Sequence, residues 1–481
     1  MAIKIICKVA LLLMTAGCAS GLKKGGTVAV LPNKPSAVDS TVKLHESISR
    51  VDYEEPSTVE VVQPPSVADT VDGEADDGEA EQVLPQPLPP TNGLTVEVLQ
   101  QMAFGNSPAV SQASARVRAL RGKWVQVGLA PNPTIGYVGG EIGNEGSAGQ
   151  HGGLVRQDFI TAQKLQRNRA IVAAEISRAE QQLAATQTRV RTDVRKRYYV
   201  SLLAQRRVEL ASELVRLSTE AVSASKSLYD AEEIPLAGLL QTEVQQQNAQ
   251  VLQRTAQNGL ARAWRRLSVV VGGPELSIQP LAGDVGQLPE LLDWEEQLAR
   301  LQSQSPEVAI AMANVERARR ALSRASVEAV PNINAQLRAV YDDSTNDTFA
   351  TVLLRLPVPL WNRNQGGIRQ AQAEVTQALR NVERVELNLN QRLADSFRQY
   401  SDAHITATTY AADILPRAQR TFDLVQQGYT QGEVGYLDLL AAQRTYSQTN
   451  LSYLDALGML WQSYVQIDGL LLDGSLEQQS D

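Results

Sequence analysis

The chain contains the stretch Tyr229-Asp-Ala-Glu-Glu-Ile-Pro-Leu-Ala-Gly-Leu-Leu240 and, 200 positions later and without a gap, Tyr429-Thr-Gln-Gly-Glu-Val-Gly-Tyr-Leu-Asp-Leu-Leu440. The tyrosine, the second glutamate and the two final leucines coincide at this offset. A repeat this long indicates a duplicated domain rather than a solenoid, because solenoid units run ~20–50 residues. The sequence therefore predicts that one structural unit is built twice.

The flanking sequence repeats at nearly the same offset. Pro131-Asn132 matches Pro331-Asn332, and Ser107-Pro108 matches Ser305-Pro306 with a slip of two residues. These landmarks predict a first repeat at 94–273, a linker at 274–292, a second repeat at 293–475 and a tail at 476–481. Both repeats should build the same elements in the same order.

Each repeat opens with a helical stretch and continues with two alternating segments. The helical stretches run from Val96 to about Gly128 and from Trp294 to about Val330, the second behind a capping arrangement of Asp293 and Glu296. Four segments then alternate with the period of two that is typical of strands, at 134–138, 154–159, 333–341 and 349–356. Turns are expected at 139–153 and 342–347. These lengths approach the ~9–11 residues of a tilted membrane strand.

A long helical hairpin follows the strands in each repeat. Residues 165–228 contain no proline, and at ~1.5 Å per residue they predict a helix of about 95 Å. Two apolar rows with a spacing of seven, one through Val215 and one through Leu217, predict neighbours on two sides of this helix.

The two hairpin tips are placed by their turn residues. The first tip is expected near 230–235, where Pro235 begins a return helix to about Val271. The second is expected near 428–435, with a return helix to about Leu472. Pro416 lies in the outgoing helix of the second hairpin and predicts a local interruption there.

Four strands per chain imply an oligomer. Four antiparallel strands cannot close a membrane barrel alone, and open sheet edges are not tolerated in lipid. Three chains would supply twelve strands, so the sequence predicts a homotrimer. The predicted fold class is mixed and mainly α, with a trimeric membrane β-barrel of four strands per chain and long helices in a closed ring.

The amino terminus is typical of an export signal. Lys4 and Lys8 precede a short apolar run, and small residues then lead to Cys18, so residues 1–17 are predicted to be a lipoprotein signal peptide and Cys18 the lipidated residue. Thr15 stands where such signals usually carry leucine. An ordinary secretory signal is the alternative interpretation. Ala19 after the cysteine favours the outer membrane.

Residues 18–93 differ in composition from the rest of the chain. From residue 21 to residue 93 there are 13 acidic and 5 basic residues, a net charge of −8 that equals that of the whole chain. Such a segment buries too little apolar surface to offset its ordering entropy, so it is predicted to be a lipid-anchored, acidic, disordered tether. From residue 94 onward 38 basic residues face 40 acidic ones, and this balance argues against a nucleic-acid partner.

Motifs in the two repeats resemble those of the TolC-type outer membrane efflux proteins, and most of all the heavy-metal efflux branch typified by CzcC. The motifs are Gly128-Leu-Ala-Pro-Asn-Pro-Thr-Ile-Gly-Tyr137, Pro357-Val-Pro-Leu-Trp-Asn-Arg-Asn-Gln-Gly366 and the two tips. Thr161-Ala-Gln-Lys164 departs from the family's Gly-Gly-Lys. The resemblance covers residues 94–475 and implies a trimeric outer-membrane β-barrel that continues into a long periplasmic α-helical barrel. The helical tips of this duct would meet a periplasmic adaptor (a membrane fusion protein) and, through it, an inner-membrane pump.

The resemblance also implies a periplasmic gate at the second tip. Tyr429 takes the place of the family's gating tyrosine and Asp438 that of its first ring aspartate. Ala441 occupies the second ring position, Gly238 the position of an acidic partner, and Val434 that of an arginine, so the family's interprotomer clasp is not carried over. Three copies of Asp438 around an axis would repel one another and attract cations. The alternative is an aspartate in the first turn of a helix that only complements the helix dipole.

Three further acids lie at the tips: Glu232, Glu233 and Glu433. They are either solvated charges or part of the surface that faces the adaptor. Catalytic and cofactor motifs are not found: His45, His151 and His404 lack ligand spacing, and no phosphate-binding glycine loop occurs. We therefore expect neither an enzyme nor a resident metal or cofactor.

The predicted function is that of an outer-membrane exit duct for a tripartite efflux system, which passes heavy-metal cations or small molecules. Two alternatives stay open. The exit duct of a type I protein secretion system would have a similar sequence. A lipid-tethered structural coiled-coil protein of the periplasm belongs to another class, and the two hairpins with only four strands argue against it.

Overall fold

The computed structural model describes residues 93–146, 148–273 and 276–477. Cys18, the signal peptide and the acidic segment up to residue 92 lie outside these ranges, as do residues 478–481 of the tail. Their assignments stay predictions.

Four antiparallel strands form one sheet in the order β1-β2-β3-β4. They span Thr134–Gly140 (β1), Gln150–Phe159 (β2), Ile333–Asp342 (β3) and Asp347–Arg355 (β4). Strand β2 begins four residues before its predicted start because glycines there hide the alternation. A Cβ atom at Gly152 would lie 2.1 Å from the carbonyl oxygen of Ala339, so glycine allows β2 and β3 to approach.

The two faces of the sheet differ in polarity. Ile135 pairs with Val155, Val155 with Leu337, and Leu337 with Val352, so one apolar row crosses all four strands. This row is open to solvent in the protomer, with Ile135 79% and Val352 70% exposed. The neighbouring rows on the other face mix arginine, glutamine and threonine with Leu154 and Leu353. The polar side chains are Arg156, Gln336, Arg338 and Thr351.

Each strand joins a helix, and the helices lie side by side in the order of the strands. Helix α2 (Pro108–Gln126) leads into β1, and β2 leads into α3 (Lys164–Asp230). Helix α6 (Pro306–Ser326) leads into β3, and β4 leads into α7 (Gln365–Thr409). Contacts join α2 to α3, α3 to α6, and α6 to α7.

The sequence predicts that each repeat opens with one helical stretch. The structure divides each of these stretches into two helices. Helix α1 (Val96–Asn106) ends before α2, and α5 (Trp294–Gln304) ends before α6. A serine caps the second helix of each pair and proline is its first residue, because proline lacks the N–H that would continue the preceding helix. The predicted cap of α5 is confirmed: the Asp293 carboxylate accepts a hydrogen bond from the Glu296 N–H at 3.0 Å.

Helix α3 has 67 residues, a length of about 100 Å at ~1.5 Å per residue. It packs against α4 (Leu236–Val271) on one side and against α9 (Tyr436–Asp468) on another. The prediction of neighbours on two sides is confirmed.

The entry into α3 explains the family's glycine pair. Ala162 and Gln163 have φ values of 53° and 54°, in the left-handed region that glycine adopts without strain. Lys164 then lies buried, and its ammonium group donates to the side-chain oxygen of Asn332 at 3.0 Å. The departure from Gly-Gly-Lys therefore places two side chains in a conformation that costs about 1–2 kcal/mol per residue.

The outgoing helix of the second hairpin is interrupted, as predicted. After α7, a single π-helical turn spans Tyr410–Ile414, and α8 covers Leu415–Thr430. Pro416 has no N–H to donate to the preceding turn, and a π turn is one way to accommodate that loss.

The main core lies midway along the helices, where the long hairpins meet the short helices. Tyr199 stacks on Trp461 with ring centroids 4.0 Å apart, and Tyr400 is fully buried. Asp468 bonds to Arg195 and Arg300. Burial opposes the charge of the Asp468 carboxylate, but the two guanidinium groups outweigh it and hold its pKa below the ordinary value.

Candidate functional site

Both hairpin tips have the same backbone hydrogen bonds. In the first, the Glu232 N–H donates to the Tyr229 carbonyl at 2.9 Å and the Glu233 N–H to the Leu228 carbonyl at 2.8 Å. In the second, the Gly432 and Glu433 N–H groups make the corresponding bonds at 3.1 Å and 2.8 Å. This pattern is a Schellman motif, which ends a helix through one left-handed residue. The return helices then begin at Leu236 and Tyr436, again 200 positions apart.

The left-handed position is filled differently in the two tips. Glu232 has a φ of 62°, and Gly432 has a φ of 76°. Glycine carries no Cβ penalty in this region, whereas glutamate does. The first tip is therefore strained at a residue where the second is not.

Tyr429 is held inside the protein at the second tip. Its side chain is 4% exposed, and its hydroxyl shares a hydrogen bond with the Ser225 hydroxyl of α3 at 2.8 Å. The contact ties the outgoing helix of the second hairpin to that of the first. The corresponding Tyr229 is 38% exposed and makes no side-chain hydrogen bond within the described ranges.

Sequence reasoning missed the role of Ser225. Ser225 stands in a row of small residues seven apart with Ala211 and Ser218, and the sequence predicts no function for it. All three side chains are buried. The available signal was that a buried hydroxyl needs a partner. Ser218 finds one in the Val215 carbonyl of its own helix, whereas Ser225 finds it across the interface.

A small apolar cluster supports the second tip. It contains Leu217 of α3, Phe422 and Tyr429 of α8, and Leu439 and Ala442 of α9. The Phe422 ring stacks on Tyr446 with centroids 5.3 Å apart. Because the cluster joins both hairpins, motion of one tip relative to the other would have to break it.

Tyr436 is partly buried and packs against this cluster. Its ring lies 6.3 Å from that of Tyr429, and its hydroxyl is buried without a hydrogen-bond partner in the described part of the chain. Burial, together with the neighbouring Tyr429, raises the pKa of Tyr436. The Tyr436 hydroxyl therefore keeps its proton to a higher pH than an ordinary tyrosine does.

Asp438 lies where the sequence predicts, in the first turn of α9. Its carboxylate is exposed in the protomer and has no side-chain hydrogen bond to the residues described. Gly238 occupies the same turn of α4 and brings no charge. This position in the first turn of α9 is compatible with both the ring and the dipole-complementing interpretations.

The residue at the arginine position of the family's clasp makes an apolar contact instead. Val434, at the arginine position, packs toward Gly428, where an added Cβ would lie 2.5 Å from a Val434 methyl group. This contact closes the turn of the second tip on itself. Glu232, Glu233 and Glu433 are exposed and form no ion pair among the residues described.

Other candidate groups do not converge on the tips. His151 shares a hydrogen bond with Tyr137 at the far end of the sheet, and His404 lies beside Tyr400 in the core. His45 lies outside the described ranges. Within those ranges no three His, Cys, Asp or Glu side chains form a group that could hold a metal ion. None of the described helices combines the length and apolar character needed to cross a membrane.

Known proteins share both the sequence and the fold. Residues 298–471 match the family described as outer membrane efflux protein. The cobalt-zinc-cadmium resistance protein CzcC of Cupriavidus metallidurans is 26% identical over 382 residues, which cover 79% of this chain and 90% of CzcC.

Solved channels have the same architecture. CusC, a transmembrane channel, superimposes with a TM-score of 0.64 at 18% identity, over 79% of this chain and 92% of CusC. The open state of the MtrE outer membrane channel of Neisseria gonorrhoeae gives 0.63 at 15% identity, over 79% and 89%. At this identity the likeness concerns the fold, and it agrees with the mainly helical architecture and four-stranded sheet that the sequence predicts. The match over residues 298–471 and the likeness to CzcC confirm the resemblance to the outer membrane efflux proteins that the sequence motifs indicate.

Proposed function

We propose that this protein is the outer-membrane exit duct of a tripartite efflux system. It assembles as a homotrimer and passes substrate from an inner-membrane pump and a periplasmic adaptor to the outside. The duct is passive, as in its family, and performs no catalysis. Its sheet lies in the outer membrane and its helical barrel in the periplasm.

The observation that carries this proposal is the sheet with one apolar face and one mixed face that carries the charged side chains. The row from Ile135 to Val352 fits lipid, and the opposite rows with Arg156 and Arg338 fit a water-filled lumen. The helices continue the sheet in the same lateral order, so one chain supplies one sector of a continuous wall. A structural coiled-coil protein would need no such sheet.

Closure of the wall supplies the argument for a trimer. Strands β1 and β4 have no further partner among the described residues, and an unpaired edge in lipid costs several kcal/mol per polar group. Native mass spectrometry of the detergent-solubilised protein is expected to give about three times the protomer mass, since three chains close a barrel of this type. A stable monomer would overturn the proposed architecture.

At the second tip we propose a gate formed by Asp438 and Tyr429. Threefold symmetry would bring three Asp438 carboxylates together at the periplasmic end, while the Tyr429–Ser225 bond holds each tip inward. Asp438→Ala is expected to weaken cation preference and block by divalent ions in planar-bilayer conductance, and Glu232→Ala to change them less. Equal conductance and block in wild type and Asp438→Ala would leave Asp438 only its role at the helix dipole.

For the substrate we propose divalent metal cations. The support is the likeness to a cobalt-zinc-cadmium resistance protein and the acidic ring that Asp438 would form. Cells that lack the gene are expected to become sensitive to cobalt, zinc or cadmium salts. Unchanged metal tolerance together with loss of a secreted protein would favour a secretion duct.

The remaining assignments concern the surroundings of the duct. We propose that Cys18 is acylated and anchors the chain in outer-membrane lipid, and that Glu232, Glu233 and Glu433 face the adaptor. Mass spectrometry of the mature amino terminus tests the first assignment, with an unmodified terminus at another residue as the contrary result. Charge reversal of the three glutamates tests the second, through the affinity of the purified adaptor.

A further inference from the structure

A cavity of about 140 Å³ lies above the second tip, between α3, α8 and α9. Its walls include the buried side chains of Leu217, Phe422, Tyr429 and Leu439. Ala221 and Ala224 of α3 also line it, and their small side chains leave the space unfilled. The exposed side chains of Glu220 and Thr430 border the cavity as well. The cavity lies beside the Tyr429–Ser225 hydrogen bond, and that bond does not fill it.

One wall of the cavity holds an amide that has no partner. Gln443 of α9 is only 6% exposed and makes no side-chain hydrogen bond to any described residue. Gln426 of α8, at the rim, makes none either. The polar atoms of the Gln443 amide keep some accessible surface, so the amide is open to a ligand. Its NH₂ and carbonyl oxygen can serve a ligand as donor and acceptor.

Size and polarity define the ligand that fits. An apolar protein cavity of about 150 Å³ accepts benzene and stays dry without it, because a water molecule needs about 2–4 polar partners. Here the walls are mainly apolar. The polar groups are the Gln443 and Gln426 amides and the exposed side chains of Glu220 and Thr430. One six-membered ring with a single polar substituent would fill the space and satisfy Gln443.

We propose that this cavity is a binding site for a small neutral monocyclic aromatic molecule with one hydroxyl or amino group. The ring packs against Leu217, Phe422 and Leu439, and the substituent exchanges a hydrogen bond with the Gln443 amide. Phenol is the simplest member of this class.

Because of the position of the site, binding of the ligand would affect the second tip. The ligand contacts α3 of the first hairpin and α8 and α9 of the second, so it would hold the two outgoing helices together. This consequence, unlike the binding itself, rests on the proposed gate: a bound ring would favour the closed tip.

Fluorine NMR of the full-length protein in lipid nanodiscs tests the binding, with 4-fluorophenol as the probe. Wild type is expected to broaden and shift the probe signal. Ala224→Leu fills the cavity and is expected to abolish the effect. Ala237→Leu is the matched control, because Ala237 is exposed on α4 and its counterpart in the second hairpin is already Leu437. Partition into lipid is common to all three proteins, so equal broadening in wild type and Ala224→Leu would overturn the proposal.

A second variant tests the amide and does not depend on the folding of Ala224→Leu. Gln443→Leu keeps the volume of the side chain and removes its hydrogen bonds. It is expected to weaken binding of 4-fluorophenol about tenfold, the factor for one lost hydrogen bond to a buried group, while fluorobenzene binds as before. Unchanged binding of 4-fluorophenol would contradict the assigned contact.

Conductance separates this site from the gate. If 4-fluorophenol binds by NMR and lowers the open probability in planar bilayers, the site acts on the tip. Binding without any effect on conductance would refute the consequence and keep the site. Loss of cation preference in Asp438→Ala remains an independent test of the gate, because Asp438 does not line the cavity.

Discussion

The two hairpin tips share a backbone and differ in almost everything attached to it. Both end a helix with the same pair of hydrogen bonds and begin the next helix at positions 200 residues apart. Yet the first tip carries a strained glutamate and an exposed tyrosine, whereas the second carries an unstrained glycine and a buried tyrosine. The comparison teaches that local helix-end chemistry is enough to form the turn. Contacts with the neighbouring hairpin decide what each turn can do.

The difference in burial follows from the neighbours of each tyrosine. Tyr429 points into the cluster where α8 meets α3 and α9, and Ser225 satisfies its hydroxyl. No serine stands at the corresponding place for Tyr229, since residue 425 is valine. The second tip is therefore anchored to the first hairpin, while the first tip has no equivalent bond at Tyr229. Four predictions test this asymmetry, through local opening free energies from hydrogen exchange of tip peptides.

The largest effect is expected when a side chain is removed from the small apolar cluster that supports the second tip. Phe422→Ala removes a buried ring that stacks on Tyr446 and should destabilise the second tip by about 3–5 kcal/mol. The matched change Val222→Ala in the first hairpin should cost about 1 kcal/mol, because Val222 is only half-buried. Similar losses of exchange protection in both variants would contradict the comparison.

A smaller effect should follow from removal of the tyrosine hydroxyls. Tyr429→Phe leaves Ser225 buried without its partner and should cost about 1–3 kcal/mol. Tyr229→Phe should change the first tip by less than about 0.5 kcal/mol, as expected of an exposed group without a hydrogen bond. Ser225→Ala and Tyr429→Phe should be non-additive, because each variant removes the same bond. An additive double variant would show that the contact contributes nothing.

Swapping the residues at the two left-handed positions should change the stabilities of the two tips in opposite directions. Glu232→Gly relieves the strain of a positive φ and should stabilise the first tip by up to about 1 kcal/mol, after the entropy that glycine adds to the unfolded chain. Gly432→Glu should destabilise the second tip by about 1–2 kcal/mol. Exchange rates of the amides at 233 and 433 report these changes. A loss of stability in Glu232→Gly would mean that the glutamate side chain makes a stabilising contact.

The smallest effect concerns the charge in the first turn of each return helix. Gly238→Asp should stabilise the start of α4 by about 0.3–1 kcal/mol through the helix dipole, and salt should screen the gain. Asp438→Gly should destabilise α9 by a similar amount if the dipole is its only role. A gain in stability for Asp438→Gly within the trimer would instead reveal repulsion among three copies and support the acidic ring.

Much of the architecture could be read from the sequence because it depends on local rules. A period of two marked the strands, a long stretch without proline marked α3, and helix-ending residues marked both tips within a few positions. Pro416 marked the interruption of the second hairpin. The starts of β1 and β3 were correct to the residue, since the Pro-Asn pairs end the preceding helical stretch before each of them.

Other features were missed where a local signal is weak. The breaks at Ser107-Pro108 and Ser305-Pro306 lie inside helical periodicity, and those pairs served as landmarks of the repeat rather than as helix boundaries. The early start of β2 passes through glycines, which carry no alternation in polarity. The left-handed Ala162 and Gln163 follow from the family's glycines only once the turn into α3 is seen.

The amino-acid sequence by itself determined the elements, their order and the two tips, because periodicity, proline and helix-end residues act over a few positions. The tertiary structure alone decided which tyrosine is buried, that Ser225 bonds to it, and that a cavity with an unpaired Gln443 lies beside it. These contacts join residues about 200 positions apart in the chain, such as Ser225 and Tyr429. No local pattern specifies such a pairing, since it depends on how two long helices lie against each other and on the volumes of the side chains between them.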